Sequence, residues 1–512
     1  MSGRRPRGAG SAAFLILLGT IAGVACRGSD TARVEAGEAA RRWITAERLM
    51  RTVRLLSSES FAGRLAGSEG YRQAAESAAR RFAELGLEPA SGGGYLQHLE
   101  VEHNELVGAP RLALMRDGAE VRQLTLGRDF VARGFSGSGV VTAPVVFCGY
   151  GLSLPARGYD DYAGVDVVGK IVLALKSAPR WQLDDAGWGE EHLPRPKALT
   201  AGGHGARALL LVAAAGEQGE GRPIGSVMHG PGEYPAGTPS LHVSRDVAEE
   251  LLAPSGLTLD GLQESIDLRH TPRSVPLDVE LSVQVEARYE ARQDTVNVVG
   301  IVPGGDPALA DEHVIVGAHL DHVGVQGAVL FPGANDNASG SAAVLAMAEA
   351  LAGLHSPLRR SVVLALFAAE EQGLQGARAY VAAPALPLER TKAMINLDCI
   401  GSGRQVRIGG GESSPRLWRL ARALDRSGRR IMVDDSWWGG GADAEPFFEA
   451  GVPTIYVTTT DGYGHLHLPS DTPGTLDPQL LEGAARIAFA TLVAVADGDY
   501  QREPRGPQKG SP

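Results

Sequence analysis

The sequence predicts an α/β fold: a mixed, largely parallel sheet flanked by helices, interrupted by a β-rich insertion. Three observations predict it. First, from about residue 294 onward, short apolar runs alternate with helical patterns. The runs 295–302 (TVNVVGIV), 313–318 (HVIVGA), 361–367 (SVVLALF), 393–397 (AMINL) and 453–458 (PTIYVT) read as strands, and 338–354, 414–427 and 477–496 read as helices. Apolar strands alternating with helices imply a largely parallel sheet covered on both faces. Second, the texture changes between 136 and 288, where β-like runs (GVVTAPVVFCGYG, GKIVLAL, ARALLLVAAA) alternate with Gly- and Pro-rich loops. Third, 45–58 and 70–85 carry apolar residues at helical spacing, the second followed by Gly86 as a C-terminal cap, and 110–131 reads as strand and turn.

Composition bounds the rest. The chain has 512 residues, 44% hydrophobic and 21% charged, with 67 glycines. These values exclude a collagen, a coiled coil, an acidic disordered protein and a polytopic membrane protein. A net charge of −11 without a basic patch argues against nucleic acid as a partner. Three cysteines cannot build a disulfide framework.

The N-terminus reads as an address. Arg4, Arg5 and Arg7 precede an apolar stretch from Ala12 to Ala25, too short to span a bilayer and shaped like a secretory signal. The stretch ends at Val24-Ala25-Cys26, which resembles a bacterial lipoprotein signal whose Cys is lipidated, although Gly23 stands where such signals usually carry Leu. An ordinary cleaved signal and an uncleaved anchor are the alternatives. The expected location is outside the cytoplasm, periplasmic or cell-surface, anchored through Cys26. The expected domain plan is a signal over 1–26, a tether over 27–42, a first part of the α/β domain over 43–135, an insertion over 136–288, the second part of the α/β domain over 289–496 and a disordered polar tail over 497–512.

The chemistry gathers at strand ends. In open α/β sheets, ligands bind outside the carboxyl ends of the strands. His319 and Asp321 follow HVIVGA, Asp336 lies in FPGANDNASG, Glu370 and Glu371 follow SVVLALFAA, Asp398 follows AMINL, and His467 follows PTIYVT in TTDGYGHLHLPSD. Singly, each has an ordinary structural reading, such as a helix cap for Asp336. Together they place two imidazoles and many carboxylates on one rim, which is self-repelling without a cation. His and carboxylate donors without Cys suit zinc at a catalytic site. Asp336, between the other strand ends, is the natural bridge. That puts His319, Asp336 and Asp398 on one ion, and Asp336, one glutamate of the pair and His467 on another. The second glutamate stays free as general base. Asp321 is placed to accept the other ring N–H of His319 and fix its tautomer.

The segments AHLDHVG, GANDNASG, FAAEEQGLQGARAY, INLDCIG, FEAGVP and HLPSDTP, in this order, closely resemble the di-zinc aminopeptidases of peptidase family M28. SFAGRLAGSEGYRQAAE and ELGLEP look like that family's opening helices. YDDYAGVDVVGKIVLAL with KALTAGGHGARALLLV is similar to a protease-associated domain. The resemblance implies a zinc-exopeptidase fold of the phosphorylase/hydrolase-like type with an inserted protease-associated domain. It implies two Zn2+ ions held by His319, Asp336, Glu371, Asp398 and His467, with Glu370 as base. It implies an aminopeptidase acting on peptides with a free N-terminus. A carboxypeptidase-like or glutaminyl-cyclase-like activity, and a non-catalytic receptor-like homologue, are the alternatives. Two positions depart from the family pattern: Ala442-Asp443-Ala444 lacks a His that members often carry, and Leu466 stands where many have Tyr, with Tyr463 and His465 the nearest substitutes. His322 and His465 are expected beside the site rather than on the metal, Cys148 and Cys399 as buried inert thiols, and Trp437-Trp438 on a loop.

Overall fold

The computed structural model describes residues 35–506, apart from 41, 91–92, 185–186, 217–222, 224–231 and 426–429. The signal expected over 1–26 and the lipid attachment at Cys26 lie outside these residues.

The five expected strands join three more, Glu88–Pro89, Leu96–Leu106 and Val406–Gly409, in one eight-stranded sheet. From one edge it runs Leu96–Leu106 (beside the short Glu88–Pro89), Ala287–Val302, Ser361–Phe367, His313–His319, Thr391–Leu397, Thr454–Thr459 and Val406–Gly409. The strands at the centre are parallel, and antiparallel pairs close both sides. Successive side chains of a strand point to opposite faces, so one strand feeds two cores. Val362, Leu364 and Leu366 join the core under the helices Ala46–Leu56, Gly340–Ala352 and Pro478–Asp497. Val363, Ala365 and Phe367 join the opposite core with Ala377, Tyr380 and Phe447. The helices start where a side chain satisfies a free N–H: Thr45 accepts from Arg48, Ser68 from Tyr71, and Asp477 from Gln479 and Leu480. The helix Pro478–Asp497 is long and apolar enough to cross a membrane by composition, but 67% of its apolar window is buried inside the protein.

The insertion is larger than the sequence suggests. Leu96–Leu106 and Ala287–Val302 form a long antiparallel ladder that ends with Leu106 opposite Ala287, and the Val107 N–H donates to the Glu286 carbonyl. Everything between, residues 107–286, hangs from this neck. Arg111–Arg116, Ala119–Gln123 and Phe130–Ala132, expected in the first part of the α/β domain, belong to the insertion's own eight-stranded sheet with Gly139–Cys148, Ile171–Leu175, Ala208–Val212, Ser240–Val243 and Ser274–Val285. Ala119–Gln123 pairs with its neighbour Arg111–Arg116, but the other partners lie far along the chain, Leu112 against Val283 and Val131 against His242. A short strand's alternation does not name its partner. Cys148 is buried in this domain, as expected.

Two further expectations fail. In the proposed tether, 35–40 is helical with Ala36 and Ala39 buried, and Ser356 N–H donates to the Glu35 carboxylate. The tail, expected to be disordered from 497, follows a fixed path to Gly506. Glu503 accepts from the Arg416 and Leu417 amides at the head of Pro415–Leu424, and Arg502 donates to the carbonyls of Leu388, Glu389 and Gly451. Its polarity reflects specific partners, not solvation.

Asp161, fully buried in the insertion, accepts from the Tyr150 and Leu152 amides and the Tyr159 hydroxyl, and burial pushes its carboxyl up to about 7. Between about pH 4 and 7 the folded chain therefore holds a proton that the unfolded chain has lost, and stability falls as pH rises through that window. Asp161→Asn should remove a slope of roughly 3–4 kcal/mol over this range. Denaturant unfolding of both proteins across pH checks it; parallel profiles would refute it.

Candidate metal centre

The functional residues sit where parallel strands end. His319 is the last residue of its strand, Asp398 follows Thr391–Leu397, and Glu370 and Glu371 lie just past Ser361–Phe367. Asp336 enters from the turn before Gly340–Ala352, where Asn337 and Ser339 lock the backbone. Asn337 donates to the Leu397 carbonyl and accepts from the Gly340 N–H, while Ser339 bonds the Asn335 carbonyl and the Ile400 N–H. The backbone is left-handed at Ala369 (φ 52°), Cys399 (φ 54°) and His467 (φ 51°), each at or beside a candidate site residue. Such φ values are uncommon for non-glycine residues and collect at functional sites.

The side chains converge. His319 Nε2 lies 3.3 Å from Asp336 Oδ1 and 3.3 Å from Asp398 Oδ1. His467 Nε2 lies 3.2 Å from Asp336 Oδ2 and 2.7 Å from Glu371 Oε2. Asp336 thus turns one oxygen to each set. His319, Asp336 and Asp398 form a group whose donor atoms lie within 4.8 Å of one another, and His322, Asp336 and Glu371 form a second. Glu370, 17% exposed, and His467, 21% exposed, are the most accessible members, whereas His319, Asp321 and His322 are at 1% or below. Solvent reaches the centre from the Glu370 and His467 side.

Electrostatics separates the carboxylates. Burial opposes the charge on Asp336, but the His319 and His467 imidazoles outweigh it and hold the group well below the usual range. Burial likewise opposes Glu371, which His467 and His322 bring down to about 2. Glu370 is pushed well up by burial, against the pull of His319, with Glu371 and Asp398 adding to the rise. Burial disfavours charge on both His319 and His467, yet the adjacent carboxylates (Glu370 and Asp398 for the first, Glu371 and Asp336 for the second) raise them well above the ordinary imidazole value. Without a cation the imidazoles of the centre offset the carboxylates by holding protons. Paired imidazole and carboxylate donors around two points, with a shared carboxylate between them, fit divalent metal.

Asp321 acts differently from expectation. His319 Nδ1 is 3.2 Å from the Asp321 backbone carbonyl and 3.6 Å from its carboxylate. The carboxylate instead accepts from the Glu370 and Glu371 amides, at 3.1 and 3.4 Å, because it turns toward the neighbouring strand end. His322 donates from Nδ1 to Glu371 Oε1 at 2.9 Å, and although expected beside the metal it falls within the second group of donors; its buried Nε2 makes no hydrogen bond. His465 bonds Ser470 instead. Tyr463 reaches the site at one remove: its hydroxyl contacts Thr458 and Tyr456, and Tyr456 donates to Asp398 Oδ2 at 3.0 Å. Trp437 packs edge-on against the Tyr456 ring. Cys399 is buried, and burial pushes its thiol well up.

Four residues take a part in the site that the sequence does not assign to them. Tyr456 sits within an apolar strand run. Asp471 accepts from the Asn335 and Asp336 amides and fixes the bridge; burial lifts its carboxyl to about 6. Asp443 is buried with neither carboxylate oxygen hydrogen-bonded, and burial raises it well above the usual range. Arg64, on a turn some 250 residues upstream, donates to the Leu320, Leu56, Pro332 and Gly333 carbonyls. The only local hint was a Gly-Arg pair in SFAGR.

Fold and site together define an α/β protein with an imidazole- and carboxylate-lined centre, at the carboxyl ends of parallel strands, whose donors could hold divalent cations. Residues 297–492 match the model of peptidase family M28. A probable leucine aminopeptidase of Arthroderma benhamiae is 29% identical over 208 residues, covering 36% of this chain and 57% of that protein. The chain thus spans little more than half the length of that relative. An aminopeptidase from Aneurinibacillus sp. strain AM-1 superposes with a TM-score of 0.62 at 22% identity, over 92% of this chain and 99% of that one. A peptidase M28 precursor from Shewanella amazonensis SB2B gives a TM-score of 0.67 at 19% identity, over 94% of this chain and 100% of that one. These two likenesses establish the fold.

A metal entering this centre must displace the protons held on His319 and His467. Zinc affinity should therefore rise with pH through and above the ordinary imidazole range, about 6.5. Asp336→Asn should weaken zinc binding by more than about 100-fold. Competition with a chromogenic chelator reads both; pH-independent binding or an unaffected variant would contradict them.

Proposed function

We propose that the chain is an exported zinc metallopeptidase that removes N-terminal residues from peptides, using two Zn2+ ions. The observation that carries this reading is the Asp336 carboxylate, one oxygen facing His319 and the other facing His467. His319, Asp336 and Asp398 would hold one ion, and Asp336, Glu371 and His467 the other. Zinc there supplies Lewis acidity, lowering the pKa of water and polarising the scissile carbonyl.

The remaining steps belong to side chains. Glu370 lies on the open side of the centre, its backbone fixed through Asp321. It accepts the proton of the attacking water on a carboxylate oxygen and returns it to the leaving amine nitrogen as the peptide bond breaks. Tyr456 steadies Asp398 through its hydroxyl, and His322 steadies Glu371. A free α-ammonium at the entrance would be attracted by the surrounding carboxylates, which favours exopeptidase cleavage. The similarity to a probable leucine aminopeptidase supports this reading. We read residues 107–286 as a protease-associated domain, and export with a lipid at Cys26 from the signal-like N-terminus.

Glu370→Gln should abolish turnover, by at least about 100-fold, while retaining two zincs per chain. An aminoacyl chromogenic panel run beside N-blocked peptides, with zinc counted by atomic absorption, checks this. Full activity in the variant, or cleavage of blocked peptides, would sink the assignment.

A further inference from the structure

We infer that Arg64 is a positioning residue of the metal centre, tying two of the loops that carry its donors, those of His319 and Asp336, into one unit. The inference rests on the zinc reading above. Ala62, Gly63 and Arg64 form a turn with φ values of 45°, 66° and 54°, all left-handed. This conformation drives the turn into the base of the site. A Cβ on Gly63 would lie 2.5 Å from the Gly324 and Phe331 carbonyl oxygens, so only glycine fits. The Arg64 side chain is fully buried. Its Nε donates to the Leu320 carbonyl at 2.8 Å, next to His319, Asp321 and His322. Its other nitrogens donate to the Pro332 and Gly333 carbonyls at 2.9 and 2.8 Å, on the approach to Asp336, and to Leu56. The Arg64 carbonyl accepts from the His322 N–H at 3.1 Å.

One planar guanidinium therefore spans both loops from beneath. It also carries a fixed positive charge near Asp471, Asp321, Asp336 and Glu371. A lysine keeps the charge but lacks the rigid fork needed for carbonyls on several sides. Position, more than charge, is the role assigned. If charge alone mattered, removing it would strengthen the attraction of a cation to the carboxylates.

The test measures zinc affinity by chelator competition, and ligand geometry by the visible spectrum of the cobalt(II)-substituted protein. Arg64→Lys should weaken zinc binding about 10–100-fold and alter the cobalt bands. Arg360→Lys is the control, because Arg360 is equally buried and bonds the Val495 and Gly498 carbonyls on the far side of the domain. It should keep wild-type affinity and spectrum even if it melts lower. Wild-type behaviour of Arg64→Lys, an equal loss in Arg360→Lys, or tighter binding in Arg64→Gln each overturns the inference. If neither Arg64 variant folds, hydrogen exchange of the wild type decides: by reciprocity, zinc should raise protection over residues 59–66, and unchanged protection overturns the role. A wild-type chain that binds no zinc removes both readings, whereas binding matched by Arg64→Lys removes this one alone.

Discussion

Like charges crowded into a low-dielectric pit constrain everything around them. Asp321, Asp336, Glu370, Glu371, Asp398, Asp443 and Asp471 share one such space. Unpaired buried charge is costly, and the structure answers in several ways. Backbone amides serve Asp321 and Asp471. Imidazoles serve Asp336 and Glu371. A permanent guanidinium lies beneath, and burial pushes Glu370 and Asp443 towards their neutral forms. What remains is concentrated on Asp336 and Glu371, where a cation can be held.

The adjacent glutamates show how environment assigns roles to identical chemistry. Glu371 turns inward between His322 and His467 and stays ionised. Glu370 turns to the open side, 3.9 Å from His319 Nε2, with its pKa raised. Two neighbouring carboxyls pushed apart in pKa are a recurrent signature of acid–base sites.

The sheet and the donor set were legible because local signals coincide with them. Each apolar run ends in its own His or acid, and strand direction places those ends on one rim. What was illegible depends on distant partners. Arg64 and Tyr456 act through hydrogen bonds to residues far along the chain, and neither bears a local mark beyond a glycine or an apolar neighbour. Strands 111–132 read as β correctly, but pairing assigns them to the insertion's sheet. Glu503 and Arg502 look like solvated tail residues until the helix head and carbonyls they meet are known. Periodicity reports which face is buried and is silent on what lies against it.

The neck between Leu106 and Ala287 also bears on how the chain reaches this state. Pairing Leu96–Leu106 with Ala287–Val302 from an open chain means closing a loop of about 180 residues, an entropic cost on the order of 4–5 kcal/mol. The insertion has its own core and its own sheet. Once folded, it holds residues 107 and 286 side by side, and the long closure becomes a hairpin. A segment that interrupts the sequence of its host thus acts as the splint on which the host's edge strands meet.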